Sequence, residues 1–129
     1  MKKLVKIKKA LISVSDKNDL KKILHCLNKY NIQLISSGGT YREIKKLGFY
    51  SEEISKYTEF KEMLDGRVKT LHPKIHAGIL SLRKNKKHKK ELKNNNFDEI
   101  DLVIVNFYPF EKIIHKTKDL KKIIENIDI

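Results

Sequence analysis

The chain has 129 residues, 40% of them hydrophobic and 35% charged, and carries a formal net charge of +13 at neutral pH. That length and balance suit one globular domain with a buried core and exclude an intrinsically disordered chain. No apolar run approaches the roughly 18–20 residues that a bilayer demands, and the basic start Met1-Lys2-Lys3-Leu4-Val5-Lys6 lacks the apolar segment of a secretory leader.

In chain order, Ala10-Leu11-Ile12-Ser13-Val14 reads as a short buried strand. Leu20, Ile23, Leu24, Leu27 and Tyr30 follow at helical spacing, which predicts an amphipathic helix over 17–30 capped by Ser15 or Asp16. Ile32 to Ser36 predicts a second strand. Gly38-Gly39 then breaks the chain, and Thr40 to Leu47 predicts a second helix that ends at Gly48. Tyr50 to Ile54 is a weaker strand. Thr58 to Leu64 reads as a short helix with Thr58 as its cap. Pro73 suits the first turn of a helix running to Leu82, and the lysine-rich stretch that follows extends helix or loop to about Asn96. Leu102-Val103-Ile104-Val105 is the clearest buried strand, stopped by Pro109. Leu120, Ile123, Ile124 and Ile127 mark a last helix capped near Thr117.

Alternating strands and helices predict an α/β fold: a central, mostly parallel sheet with helices on both faces, in one domain spanning 1–129. In such sheets ligands sit beyond the carboxyl ends of the strands, and each unusual polar cluster falls at such an end. Ser36-Ser37-Gly38-Gly39-Thr40 lies between a strand and a helix, where two glycines allow close approach and free N–H groups favour an anion. A plain turn with a hydroxyl cap has the same appearance. Ser13-Val14-Ser15-Asp16-Lys17 brings two hydroxyls to one side of the first strand and adds a cation; a helix cap with a surface lysine would read alike.

Gly66-Arg67-Val68-Lys69-Thr70-Leu71-His72-Pro73, followed by Ile75-His76-Ala77-Gly78, gathers cations and histidines in a segment with no simple period. Arginine binds phosphate or carboxylate through two N–H groups, and a lysine among cations can have its charge state tuned. His72 and His76 are four apart, yet no HExxH pattern or carboxylate accompanies them. The expectation there is a helix cap and packed histidines, with no metal. In Asn106-Phe107-Tyr108-Pro109-Phe110, Asn106 and Tyr108 alternate with the aromatics and can point together, or the segment is a strand end with a buried aromatic pair.

Only Arg42, Arg67 and Arg83 among the 29 basic residues are arginine, and lysine, isoleucine and asparagine abound. An A/T-rich genome would give that bias without selection for charge, so the charge predicts no specific nucleic-acid partner. The densest run, Arg83 to Lys90, has no interleaved aromatic to stack a base. The single Cys26 forms no internal disulfide, in keeping with a reducing, cytoplasmic compartment.

Taken together, these motifs, with His76-Ala77-Gly78-Ile79-Leu80 and Ile127-Asp128-Ile129, resemble the inosine-monophosphate (IMP) cyclohydrolase domain of the bifunctional purine-biosynthesis enzymes, over nearly the whole chain. The first two motifs are shared loosely with methylglyoxal-synthase-like domains; the segments Arg67–Pro73 and Asn106–Phe110 are more specific. The resemblance implies a methylglyoxal-synthase-like fold that closes the purine ring of formylaminoimidazole-carboxamide ribonucleotide to IMP and water, with no metal or organic cofactor. It implies that Ser37, Gly38, Gly39 and Thr40 hold the 5′-phosphate with Ser13, Ser15 and Lys17. Arg67, Thr70 and Asn106 would bind the base end, where Lys69, Tyr108 and Asp128 would act in catalysis. It also implies a homodimer, no membrane, and a purine ribonucleotide as partner. The family's later lysine-bearing helix and its transformylase domain, the user of reduced folate, have no counterpart in these 129 residues. The competing readings are a nucleotide- or phosphate-binding module of the same fold without turnover, and nucleic-acid binding through the lysine run.

Overall fold

A computed structural model describes residues 4–127. Four strands form one sheet: β1 Lys9–Ser13, β2 Gln33–Ser36, β3 Glu52–Glu53 and β4 Leu102–Val105. Their order is β3-β2-β1-β4, and each neighbouring pair is parallel. The helices are α1 Leu20–Lys29, α2 Gly38–Lys46, α3 Ile54–Thr58, α4 Pro73–Leu80, α5 Lys86–Asn94, α6 Phe110–Lys116 and α7 Leu120–Ile124.

Both sheet faces are covered, and the alternation of β1 divides the core between them. Ala10 and Ile12 meet Leu20, Leu24 and Leu27 of α1 and Ile44 of α2, with Leu34 from β2. Leu11 and Ile35 meet Ile54 and Tyr57 of α3, Ile75 of α4 and Ile100 on the opposite face. The spacing of Leu20, Leu24 and Leu27 explains why α1 forms: one stripe is apolar and the rest is lysine-rich. Chain order reverses direction at β1, which has β2 on one side and β4 on the other. This is the switch point where open parallel sheets form a crevice at their carboxyl ends.

Several sequence expectations shift. Neither Ser15 nor Asp16 caps α1; its first flanking residue is Asp19, whose side chain makes no capping bond. The Asp16 carboxylate instead accepts the Asn18 N–H at 3.0 Å, forming a local turn. Gly38-Gly39 do not precede α2; they begin it. Thr58 closes a helix instead of opening one: its hydroxyl donates to the Ile54 carbonyl at 2.9 Å, and no helix covers 59–64.

β4 is not a fully buried strand. Leu102 and Ile104 pack on the α1–α2 side, but Val103 and Val105 are 40% and 57% exposed. They lie in register with Leu11 and Ser13, at the sheet edge that α3 and α4 do not cover. The aromatic pair beyond it is not buried either, with Phe107 79% exposed. An unforeseen helix, α6, follows Pro109, and α7 starts after Asp119, whose carboxylate accepts the Lys121 N–H at 3.0 Å. Thr117 supports that turn by accepting the Asp119 N–H at 3.1 Å.

Candidate functional site

β1, β2 and β4 run parallel, so their carboxyl ends deliver Ser13, Ser37 and Asn106 to one rim. The Ser13 and Ser37 hydroxyls are 3.1 Å apart and share a hydrogen bond. Thr40, on the first turn of α2, reaches across to the loop after β1. Its Oγ1 accepts the Val14 N–H at 3.0 Å and donates to the Val14 carbonyl at 3.1 Å. Ser36, though adjacent in sequence, points away and bonds the buried Ser51 hydroxyl at 2.6 Å. Ser37 and Thr40 therefore knit the start of α2 to the loop after β1, while Ser36 serves the core.

The loop after β1 is clamped from β4. Asn106 Oδ1 accepts the N–H groups of Ser15 at 2.6 Å and Asp16 at 3.1 Å, and its Nδ2 donates to the Asp16 carbonyl at 2.8 Å. Lys17 folds over the same loop, donating from Nζ to the Val14 and Ser15 carbonyls at 3.1 Å each. Asn106 thus meets Ser15 and Asp16 through their main chain.

The start of α2 is where the cations converge. Gly38 has φ +38°, a conformation L side chains rarely adopt. A Cβ placed on Gly38 would lie 4.0 Å from Lys69 Nζ. One placed on Gly39 would lie 3.9 Å from both Lys17 Nζ and Arg42 Nη2. Three cations from separate segments therefore surround the first N–H groups of a helix whose dipole already favours an anion. Among the described residues none of the three pairs with a carboxylate. Like charges gathered without counterions favour an anionic occupant.

Arg42 was not foreseen. The signal is present in hindsight, because position 42 stands one turn beyond Gly39 on α2 and shares its face. What the sequence does not reveal is that this face is the open rim of the sheet.

Arg67 follows a tight turn with positive φ at Leu64, Asp65 and Gly66, closed by pairing of Met63 with Val68. Its guanidinium is 61% exposed and 4.0 Å from the Glu125 carboxylate, a surface contact of small energetic weight. Thr70 is half-buried, and its carbonyl accepts the His72 N–H at 2.8 Å. Tyr108 is 43% exposed beyond β4. Asp128 lies outside the described residues.

The histidines separate. His72 caps α4 by accepting the Lys74 N–H on Nδ1 at 3.1 Å, whereas His76 is exposed and not packed in the core. Among the described residues no group of three or more His, Cys, Asp or Glu side chains is placed to hold a metal ion. No helix there is long and apolar enough to cross a membrane.

A family model described as the MGS-like domain matches residues 19–129. The chain is 50% identical to the bifunctional purine biosynthesis protein PurH of Acetivibrio thermocellus over 124 residues, 95% of this chain and 24% of that protein. It is 47% identical to the PurH of Clostridium acetobutylicum over 123 residues, 95% of this chain and 25% of that protein. The chain thus spans about a quarter of the length of these relatives. The crystal structure of ForH superposes with a TM-score of 0.72 at 31% identity, covering 78% of this chain and 51% of that one.

Proposed function

The chain belongs to the MGS-like domain family, and from that premise we propose that it binds a purine ribonucleotide and closes its ring as an IMP cyclohydrolase in the cytoplasm. One observation carries the reading: Lys17, Arg42 and Lys69 converge, without carboxylate partners, on the Gly38-Gly39 start of α2. That arrangement suits a phosphate monoester, whose oxygens take N–H donors and cations together. The relatives' role in purine biosynthesis supplies the nucleotide.

Ring closure joins the carboxamide nitrogen to the formyl carbon of formylaminoimidazole-carboxamide ribonucleotide. One proton of that nitrogen moves to the formyl oxygen. The resulting hydroxyl then leaves as water with the proton of the formamide nitrogen, forming the last ring double bond. The amide is a weak nucleophile, so the gain comes from holding both groups in contact and from stabilising charge on the formyl oxygen. Tyr108 would take the oxygen and Asp128 would orient or deprotonate the amide, while Lys69, 4.0 Å from a Cβ on Gly38, would serve the phosphate end instead. Arg67, Thr70 and Asn106 would border the base, with Asn106 also holding the loop that carries Ser15 and Lys17. No cofactor enters this chemistry, and reduced folate has no role in it.

A second reading, nucleotide binding without turnover, is favoured by the openness of the base end, where Arg67 and Tyr108 stand well exposed. Calorimetric titration with IMP and with inorganic phosphate, followed by an absorbance assay of ring closure on the same sample, separates the two. Binding with turnover supports the enzyme, and binding alone supports the module. No binding by a folded sample refutes the anion site itself.

A further inference from the structure

A second cleft, of about 800 Å³, opens at the amino ends of the strands, the opposite end of the sheet from the site above. Its size falls in the range of small-molecule sites. It borders the first residue of β1, the loop before it, α5 and the segment leading to β4. Its charges sort into two groups.

The acidic residues are all engaged. The Asp98 carboxylate pairs with Lys9, and Glu99 lies 3.6 Å from Arg83. Asp101 also pairs with Arg83 and accepts the Lys8 and Lys9 N–H groups at 2.7 and 3.1 Å. Lys6, Lys8, Lys89 and Lys93 line the same cleft with no carboxylate partner among the described residues. Beside them Leu92 and Phe97 give the cleft an apolar wall. A solvated lysine surface alone would lack both the concavity and that wall.

We propose that this cleft is a second binding site, for a nucleoside polyphosphate, with Lys6, Lys8, Lys89 and Lys93 on the phosphates and Phe97, backed by the buried Leu92, against the base. Four cations match the three or four negative charges of such a molecule, and the apolar wall distinguishes it from bare phosphate. None of the groups that gather at Gly38-Gly39 takes part, so the site stands whether or not the chain closes a purine ring.

The test is calorimetric titration of the full chain with ATP in ~0.15 M salt, where distant surface charges are screened, and with saturating inorganic phosphate to fill the first site. Adenosine and inorganic tripolyphosphate serve as parallel probes. The expected result is one ATP per chain, bound at least tenfold more tightly than either probe. Binding should weaken at least tenfold in a Lys89→Glu/Lys93→Glu double variant, whose exposed side chains leave the core untouched, and should persist in Gly39→Ala. Tripolyphosphate binding as well as ATP would reduce the cleft to a patch of charge and overturn the proposal. So would absence of ATP binding, ATP binding unchanged in the double variant, or its loss in Gly39→Ala.

Discussion

Replacing Gly39 by alanine separates stability from ligand binding. Gly39 is the second residue of α2 and does not share the positive φ of Gly38. Its new methyl group would stand 3.9 Å from Lys17 Nζ and Arg42 Nη2, which is ordinary van der Waals contact. The fold therefore accepts it, and restricting the unfolded chain at a compatible position stabilises by about 0.4–1 kcal/mol. The same methyl occupies the space between the cations, where a phosphate oxygen would sit. Losing one charge-assisted hydrogen bond costs about 1.5–3 kcal/mol, or roughly a 10- to 100-fold weaker affinity. Urea unfolding and phosphate calorimetry on the same preparation read the two effects. Stability unchanged or raised with phosphate binding weakened by that factor is the expected pair. Phosphate binding as tight as in the parent chain would refute the placement of the anion over Gly39.

Gly78 tests packing: a Cβ there would stand 2.7 Å from the Asp98 carbonyl and 3.1 Å from Ile100, so Gly78→Ala should cost about 1–3 kcal/mol in urea unfolding. Asn106→Ala removes the clamp on the loop after β1; amide exchange at Ser15 and Asp16 should accelerate and phosphate binding weaken, and unchanged exchange would show that the clamp is idle. Burial pushes the Tyr57 hydroxyl up to about 12, aided by the nearby Asp98 and Glu52 charges. Its buried oxygen has no hydrogen bond of good geometry, the Asp98 N–H being the nearby donor. The unfolded chain releases that proton first, near 10, so stability from this group is complete below that pH and is lost as pH rises toward 12. Tyr57→Phe should remove that part of the alkaline decline, measured as urea midpoints across the range.

The sequence by itself determined the local periods. β1, β2, β4, α1 and α4 stand where alternation, helical spacing and Pro73 put them, because those signals are made by neighbours within a few residues. It also marked Ser36 to Thr40 as the junction of a strand and a helix, where β2 ends and α2 begins. Thr58 misled because a threonine hydroxyl serves either end of a helix, capping a start or donating back one turn as it does here. Val103 and Val105 misled because an apolar run records that a strand is hydrophobic, not which neighbours cover it. Only the tertiary structure decided what meets at the rim. Asn106 holds a backbone 91 residues away, and Lys69, Arg42 and Lys17 reach one helix start from three segments. Sequence spacing carries no record of such meetings, because parallel pairing of β1 with β2 and β4, not adjacency in the chain, brings those ends together.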